Sequence, residues 1–420
     1  MFDLDKWQEI WMTISRNKTR SIFTAFGVFW GILMLTLLLG TGNGLENGMK
    51  SNIEGVATNS CFFYADITTV PFKGFKKGRS WNMKNSDIKV ILANVPEIKY
   101  LAPMLFGGGG GQNNTVRGDK AGTFNVMGNY PDYAHVQEQR IIYGRYINNV
   151  DILNKRKVCY IGNNIYKALF KPGENPIGQV IRSNGIYYTV VGVGSGLGKI
   201  ELGGKSDDQV VLPFTTMQTA YNQGDIIHFM AAVAKDNVDA SYVEKEVKKI
   251  LKSRNDIAPN DERAVGSFNI SQIFKMFSYL FLGIRILIWI VGLGTLIAGA
   301  IGVSNIMLVS VRERTKEIGI RRALGAKPRD IMSQIINESL VLTSIAGFIG
   351  LSLGVGILAY FDNYINNLPP EHKIFLQNIM IKFDVAISAS VVLVIIGLLA
   401  GLLPAWRAMQ IKPIEALSEE

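Results

Sequence analysis

The sequence predicts a membrane protein with four transmembrane α-helices and one large extracytoplasmic α+β domain. Hydrophobic residues make up 48% of the 420 residues and charged residues only 19%. The apolar residues are concentrated in four long runs without charge, and a helix needs roughly 20 such residues to cross a membrane. Roughly 230 residues of mixed polarity separate the first two runs, which is enough for a domain with its own core.

The charge-free runs define four predicted spans. The charge-free runs are residues 21–45, 286–311, 339–361 and 385–406, and the spans predicted around them are 21–45 (TM1), 280–311 (TM2), 331–361 (TM3) and 385–406 (TM4). Soluble helices rarely run this long without a charge, so buried core helices are a poor alternative. The first run exceeds the 7–15 apolar residues of a signal peptide and no small-residue cleavage site follows it. We therefore expect TM1 to be a retained anchor.

Basic residues indicate the orientation, because Lys and Arg in short loops mark the cytoplasmic side. Those next to TM1 and TM4 are Arg16, Lys18, Arg20, Arg407 and Lys412. The densest basic cluster lies in residues 312–330, between TM2 and TM3. We predict a bacterial inner-membrane protein with both termini, the 312–330 segment and the 407–420 tail in the cytoplasm. Residues 46–276 and the short loop 362–384 are then extracytoplasmic.

The segment before TM1 has an amphipathic pattern. Leu4, Trp7, Trp11 and Ile14 recur at helical spacing among polar residues. Tryptophan favours the depth of the lipid headgroups, so residues 1–20 predict a helix lying in the membrane interface. A plain soluble helix is the alternative.

The outer region 46–276 mixes strand and helix patterns. YYTVVGV (187–193), QVVLPF (209–214) and FMAAVA (229–234) are rich in β-branched and aromatic residues and predict strands. Amphipathic spacing predicts helices over 86–95 and 240–253. Over 44–275 there are 28 Lys and Arg against 21 Asp and Glu, a surplus of seven. Such a surplus fits either a solvated surface or a preference for anionic partners.

The only two cysteines, Cys61 and Cys159, both fall in this outer region. An oxidising compartment would permit a disulfide between them. Each lies in a strand-like apolar setting, SCFFY or KVCYI, where buried free thiols are common. We favour two free cysteines.

Small residues recur four apart in every span. They are Gly27, Gly31, Gly294, Ala298, Gly302, Ala346, Gly350, Gly354, Gly397 and Gly401. This spacing lets helix backbones approach closely in lipid, so we predict a compact bundle that pairs with a second bundle. No series of Asp, Glu or His crosses the hydrocarbon, which argues against a proton-coupled pump or an ion channel.

The basic cluster ERTKEIGIRRALGAKPRD (313–330) has the pattern of a short docking helix. Gly325 is a candidate C-cap, and Pro328 suits the first turn of a new helix. We predict a helix from about Val311 to Leu324, a tight turn, and a helix leading into TM3. A loop on anionic lipid is the alternative, but it would not need Ile-Gly-Ile or a built helix stop.

The stretch SNIMLVSVRERTKEIGIRRALGAKPRDI (304–331) resembles the signature segment of MacB/FtsX-type ABC transporter permeases. Similarity extends to RSIFTAFGVFWGI…GTGNGLENGM (20–49), to residues 144–193 and to PAWRAMQIKPIEAL (404–417). The first match is highly specific and the other three are moderate. The chain is therefore similar to this family at both ends and in the middle.

The resemblance implies further divisions and roles. The outer domain would consist of a porter subdomain, about 46–106 and 231–276, and a sabre subdomain, about 107–230. The helix between TM2 and TM3 would be the coupling helix that docks on a cytoplasmic ABC ATPase. Its implied contact residues are Glu313, Arg314, Glu317, Ile318, Arg321, Arg322 and Gly325.

The sequence predicts a non-catalytic subunit. No GxxxxGK[ST] phosphate-binding motif occurs, and FGGGGGQ (106–112) lacks the Lys-Ser/Thr pair. His135 and His228 have no companions at metal-ligand spacing, so we expect neither a metal nor any other bound cofactor. Since the chain starts about 20 residues before TM1, we expect a separate ATPase subunit to hydrolyse ATP with Mg²⁺.

These features favour mechanical transmission from that ATPase to the outer domain. We expect efflux of a peptide, drug or similar substrate, with a second permease copy or paralogue, a periplasmic adaptor and an outer-membrane duct. Membrane lipid is an expected partner and nucleic acid is not. Lipoprotein-extracting (Lol-like) and cell-wall-hydrolase-regulating (FtsX-like) permeases are alternatives. A membrane-anchored enzyme, or a receptor or sensor without transport, belongs to another class.

Overall fold

The computed structural model describes residues 18–107, 114–197, 204–368, 376–381 and 383–411. The predicted interfacial helix within 1–20, most of the glycine-rich loop and the end of the 407–420 tail lie outside these residues. The described chain forms two compact units. One runs up to Lys50 and resumes at Tyr279, and the other covers Ser51–Ser278. We call them the helical unit and the outer unit.

Ten helices and fourteen strands are numbered in chain order over the described residues. The helices are α1 (Lys18–Asn52), α2 (Asn85–Asn94), α3 (Asn149–Leu153), α4 (Asn163–Leu169), α5 (Phe214–Ala220), α6 (Ala240–Arg254), α7 (Ile270–Glu313), α8 (Thr315–Ala323), α9 (Pro328–Asn366) and α10 (Phe383–Met409). The strands are β1 (Ser60–Ala65), β2 (Met83–Lys84), β3 (Ile98–Gly107), β4 (Asn114–Arg117), β5 (Lys120–Thr123), β6 (Asn125–Asn129), β7 (Gln139–Gly144), β8 (Val158–Gly162), β9 (Val180–Ser183), β10 (Ile186–Gly196), β11 (Gln209–Pro213), β12 (Ile226–Ile227), β13 (Phe229–Ala234) and β14 (Val265–Asn269).

Each charge-free run lies within one long helix. Helices α1, α7, α9 and α10 contain 35, 44, 39 and 27 residues and are long and apolar enough to cross a membrane. They extend past the predicted spans because polar residues continue the helical hydrogen bonding beyond the apolar run. The predicted fold class, four membrane helices and an α+β domain, is confirmed.

Glycines mark the contacts between these helices. A methyl group on Gly27 would lie 3.1 Å from Gly299 Cα, so α1 and α7 touch backbone to backbone. Gly31 faces Leu296, where an added methyl would lie 3.0 Å from its Cδ2. A methyl on Gly350 would lie 2.7 Å from the Phe29 carbonyl oxygen. These predicted small residues therefore lie where helices approach closely.

Two of the predicted glycines, Gly397 and Gly401, lie between α9 and α10. Gly397 and Gly401 lie against Thr343 and Ser339, and the Ser339 hydroxyl donates a hydrogen bond to the Gly397 carbonyl oxygen at 3.2 Å. Gly354 of α9 instead faces Thr36 of α1, and a methyl added there would lie 2.6 Å from its Cγ2. Small residues at these positions leave room for the facing hydroxyl side chains.

The predicted stripe on α7 is placed differently. Gly294, Ala298 and Gly302 are exposed on the single chain, and no described atom lies within 4 Å of a methyl placed on either glycine. The face of α7 that packs against α1 carries Leu296 and Gly299 instead. The three predicted residues therefore contact no other described helix of this chain, and their part in pairing two bundles stays a prediction.

The outer unit is built on one large mixed sheet. Twelve strands join it in the order β14-β1-β13-β3-β6-β11-β8-β10-β9-β4-β5, with β7 paired to β10. Most neighbours are antiparallel, whereas β6–β11 and β8–β10 are parallel. The sequence-predicted strands correspond to β10, β11 and β13, and the two predicted helices to α2 and α6. Because the sheet is continuous, the division into porter and sabre subdomains stays a prediction.

Both cysteines are free and buried, as expected. Cys61 lies in β1 and Cys159 in β8, within the main hydrophobic core of the outer unit. Burial is the main cause that raises the pKa of Cys61 to about 12, and burial also raises the pKa of Cys159. Both are therefore unreactive thiols rather than nucleophiles.

Candidate coupling site

The segment between TM2 and TM3 folds as a short separate helix. Helix α7 ends at Glu313, Arg314 leaves the helical conformation, and α8 follows at once. The sequence predicted a single helix from about Val311 to Leu324, so this break was missed. No proline or glycine lies at the break, which explains why composition gave no signal for it.

The helix stop was predicted correctly. Gly325 has φ +101°, a conformation that strains residues with a Cβ. The Ala326 N–H donates to the Arg321 carbonyl and the Gly325 N–H to the Arg322 carbonyl, at 3.0 and 3.1 Å. Together they form a Schellman motif. Pro328 then occupies the first turn of α9, as predicted.

Three arginines fasten this segment to the neighbouring membrane helices. Arg321 donates to Gln334 of α9 at 3.0 Å and to Glu317 at 2.9 Å. Arg322 donates to the Met409 carbonyl oxygen at 3.0 Å and to that of Ile411, which caps the end of α10.

The third arginine, Arg314, lies 3.5 Å from the Glu338 carboxylate of α9, whose side chain is only 9% exposed. A carboxylate so far buried needs compensation by a cation or by hydrogen bonds. The sequence assigned all three arginines to a partner, whereas the structure engages them within the chain.

Ile318 is also packed within the chain. It is 9% exposed and belongs to the core cluster of the helical unit, together with Val311 and Ile331. A side chain buried there cannot anchor a docking protein without opening the bundle. The expectation that Ile318 contacts the ATPase stays a prediction, and in this structure the residue belongs to the bundle core.

The free surface of α8 carries a different apolar pair. Leu324 is 84% exposed and Ile320 is 48% exposed, and they lie four residues apart on one helical face. Lys316 and Glu317 are exposed on the same short helix, and Lys327 follows it. Of the other predicted contact residues, Glu313 is exposed at the end of α7. The result is an apolar knob flanked by charges.

Sequence reasoning missed the residues that hold this knob in place. Gln334 and Glu338 were read only as parts of TM3, and the carbonyls of Met409 and Ile411 carry no sequence signal. Gln334 and Glu338 lie one helical turn apart on α9, and both face the coupling segment. This spacing is the sequence signal that could have indicated the contact.

The histidines of the outer unit have structural surroundings. His228 Nδ1 accepts a hydrogen bond from the Phe106 N–H at 3.0 Å, and burial lowers the pKa of this imidazole. His135 stacks on Tyr100 with ring centroids 4.1 Å apart. Within the part of the chain that the structure describes, no group of three or more His, Cys, Asp and Glu side chains could hold a metal.

Two known family models match this chain. Residues 21–250 match the model of the MacB-like periplasmic core domain, and residues 268–413 match that of the FtsX-like permease C-terminal region. The chain belongs to the MacB/FtsX-type permease family. It is thus an ABC transporter permease with four membrane helices, in keeping with the family resemblance of its 304–331 segment.

Curated relatives agree over nearly the whole chain. The macrolide export ATP-binding/permease protein MacB of Psychrobacter arcticus is 30% identical over 97% of this chain. The pyoverdine export ATP-binding/permease protein PvdT of Pseudomonas putida is 25% identical over 99% of it. The chain spans about 60% of the length of the curated relatives it matches. The periplasmic region of MacB from Actinobacillus actinomycetemcomitans, a solved structure, covers 54% of this chain with 22% identity and a TM-score of 0.43, and 96% of that structure is matched.

Permeases of this family work with ABC ATPases. The matched periplasmic core model covers most of the outer unit, and the four apolar helices lie mainly in the helical unit. The chain is therefore a membrane-embedded permease with an extracytoplasmic domain.

Proposed function

We propose that this chain receives the movement of a cytoplasmic ABC ATPase through α8 and passes it to its outer domain, and so drives export. The supporting observation is the apolar pair of Ile320 and Leu324, which is exposed on the single chain at a helix held in place by arginines. An exposed apolar pair ringed by charges is typical of a protein-docking surface, with the apolar side chains as anchors.

In this proposal the hydrogen bonds of Arg321 and Arg322 transmit movement from α8 to the membrane helices. Because Arg321 binds α9 and Arg322 binds the end of α10, a force on α8 is transmitted to both helices. Close glycine contacts then link α9 to α1 through Gly350. Packed helices shift as units rather than deform continuously, so a small displacement of α8 moves the bundle.

Orientation follows from the same proposal. In our proposal α8 lies in the cytoplasm, because basic residues are concentrated in 312–330 and such residues in short loops favour that side. The 420 residues contain no GxxxxGK[ST] motif. In our proposal ATP and Mg²⁺ are bound and hydrolysed by a partner ATPase subunit, and this chain binds no cofactor.

The direction of transport is proposed from the relatives. Curated relatives carry the names macrolide export and pyoverdine export ATP-binding/permease proteins. We propose efflux of a peptide, drug or similar substrate by two permease copies or paralogues, with a periplasmic adaptor and an outer-membrane duct. The exposed stripe of Gly294, Ala298 and Gly302 offers a surface for the second bundle.

The docking step is tested by reversing the polarity of the knob. The tagged full chain, as wild type or with Ile320→Asp and Leu324→Asp, is purified from membranes of its native cells, and bound ATPase activity is measured. We expect the double variant to lose at least about tenfold of the co-purified activity, since two exposed anchors together contribute on the order of 2 kcal/mol.

Leu153→Asp is the matched control. Leu153 is 79% exposed in the outer unit, so the same chemical change there leaves α8 untouched. Normal ATPase recovery with the Ile320/Leu324 variant would overturn the docking assignment. Ile318→Asp is unsuitable, because a charge in the bundle core would disrupt folding and docking alike.

A further inference from the structure

The outer unit contains a cavity of about 860 Å³ beside α6. Its walls are α6, the loop 256–262 that follows this helix, and the turn at Phe72 and Lys73. Binding sites for small molecules have volumes of roughly 300–1,000 Å³. The lysines that line it are Lys73, Lys245, Lys248, Lys249 and Lys252. We call this the lysine cavity.

The fold of α6 brings these lysines together. Val243, Val247 and Leu251 are fully buried against the sheet, which turns the opposite face of the helix outward. Residues 245, 248, 249 and 252 repeat at three- and four-residue spacing and lie on that face. The following loop then folds back along the helix, since the Ile257 N–H donates to the Lys252 carbonyl oxygen at 3.0 Å.

The loop is held rigidly opposite the lysines. The Lys252 Nζ donates to the Pro259 carbonyl oxygen at 3.0 Å. Asp261 accepts hydrogen bonds from the backbone N–H groups of Thr69, Val70 and Ala264. The cavity wall is thus fixed from two sides before any ligand arrives, which lowers the entropic cost of binding.

The positive charge of the cavity is only partly neutralised from within. Glu244 and Glu262 are the lining carboxylates. Glu244 pairs with Lys248 at 3.1 Å but also accepts hydrogen bonds from Ser267 and Asn269. Among the described residues Lys245 has no ion-pair partner within 4 Å.

The other ion pairs leave the cavity with a surplus of positive charge. Lys73 is bound to Asp256 at 2.8 Å, and Lys249 lies 3.8 Å from Glu246, and neither carboxylate lines the cavity. Burial, and next the charge of Lys248, lower the pKa of Lys252, and they outweigh the opposite effect of Asp261 and Glu262. Crowded cations of this kind are relieved by an anion placed between them.

The floor of the cavity is apolar. Phe72, Ile257 and Pro259 contribute ring and aliphatic surface, and the methylene stems of the lysines add to it. Lysines that served only to complement the helix dipole would belong to the last turn. Lys245 lies in the middle of α6 and faces the same cavity, so the dipole does not explain the set.

We propose that the lysine cavity binds a small amphipathic anion, a molecule with a phosphate or carboxylate head and an aromatic or aliphatic body. The lysine ammonium groups bind the head, and the Phe72–Ile257–Pro259 surface covers the body. This site lies within the outer unit and does not depend on the proposed ATPase docking.

The test uses 1-naphthyl phosphate with the full chain in phosphatidylcholine nanodiscs. Binding is measured by isothermal titration calorimetry, with empty nanodiscs as the blank. Two further probes separate the head from the body, because 1-naphthol lacks the charge and inorganic phosphate lacks the ring. We expect 1-naphthyl phosphate to bind at least about tenfold more tightly than either, as removing one charge-assisted contact costs at least this factor.

Variants locate the binding. Lys248→Gln with Lys252→Gln should weaken 1-naphthyl phosphate binding about tenfold or more. Lys245→Gln with Lys249→Gln changes two exposed side chains, so the fold is kept, and should weaken it about threefold or more. Lys157→Gln with Lys167→Gln removes the same charge from exposed positions outside the cavity and should change the affinity less than about twofold.

Three results would overturn the proposal. Equal weakening by the control pair would mean non-specific attraction to a basic protein. Equal affinity for inorganic phosphate or 1-naphthol would exclude an amphipathic ligand. Unchanged binding in both cavity variants would place the probe elsewhere. ATPase co-purification with the cavity variants should be normal, so failure of this proposal is distinguishable from failure of the docking proposal.

Discussion

The buried Asp261 carboxylate joins two segments of the outer unit, residues 69–70 and its own loop at 261–264. Its side chain is fully buried and accepts hydrogen bonds from the Thr69 N–H at 2.6 Å, the Val70 N–H at 3.0 Å and the Ala264 N–H at 3.1 Å. The Thr69 hydroxyl donates to it as well, at 2.7 Å. Asp261→Asn keeps the size of the side chain but removes its charge and one acceptor oxygen.

The magnitude follows from the pKa of this group. Burial raises the pKa, but the hydrogen bonds from Thr69, Val70 and Ala264 outweigh it and lower the pKa of Asp261 from 3.8 to about 2. A lowered pKa means that the folded state favours the charged form. This difference contributes on the order of 2 kcal/mol to stability at neutral pH, or a factor of roughly 30.

The pH dependence has a definite sign. Because the folded pKa lies below the unfolded one, the contribution is fully present above about pH 4 and is lost as the pH falls toward about 2. At pH 3 the ratio of the unfolding equilibrium constants of Asp261→Asn and wild type should shrink to roughly tenfold. A carboxylate without such hydrogen bonds would show no comparable pH dependence of stability over this range.

Hydrogen exchange of the full chain, followed by mass spectrometry, measures this effect locally. The Thr69, Val70 and Ala264 amides should exchange roughly 30-fold faster at pH 7 in Asp261→Asn. Asp236→Asn is the control, since Asp236 is 86% exposed and its pairing with Lys99 should contribute less than about 1 kcal/mol. Equal exchange in wild type and Asp261→Asn at pH 7 would refute the reasoning.

Two further predictions concern packing and reactivity. Gly397→Val should lower the melting temperature of the full chain by several degrees, because the added methyls meet Thr343 and overpacking costs about 1–3 kcal/mol. Gly356→Val, on an open face of α9, should leave it unchanged in thermal scanning fluorimetry, and equal losses would contradict the assigned contacts. Cys61 and Cys159 should resist N-ethylmaleimide at pH 8 until the chain is denatured, since burial raises the pKa of both thiols. Rapid labelling of the native chain, counted by mass spectrometry, would show that the buried placement is wrong.

Much of the fold could be predicted from the sequence. Runs such as residues 385–406 are readable because the length and polarity of a membrane helix are set by the bilayer. Strand β13 was predicted with the bounds that the structure has, since FMAAVA combines β-branched, aromatic and small residues between polar flanks. The turn at Gly325 and Pro328 was also readable, because glycine and proline act through their own backbone geometry.

Only part of the coupling site could be predicted from the sequence. The sequence located the segment but assigned Ile318, Arg321 and Arg322 to a partner. Which face of a nine-residue helix is buried depends on the helices beside it, and these are distant in sequence. Arg322, for example, caps the end of α10 at Met409, a contact that no local pattern encodes.

The sequence by itself determined that this chain crosses a membrane, carries a large outer domain and belongs with ABC permeases, because those properties follow from hydrophobicity, length and a specific local motif. Only the tertiary structure decided that Leu324 and Ile320 are free while Ile318 is buried, and that lysines of α6 line a cavity closed by the loop at Pro259. Whether a side chain is exposed or lines a cavity depends on contacts between segments that are distant in sequence. A local sequence pattern gives residue types but not those contacts.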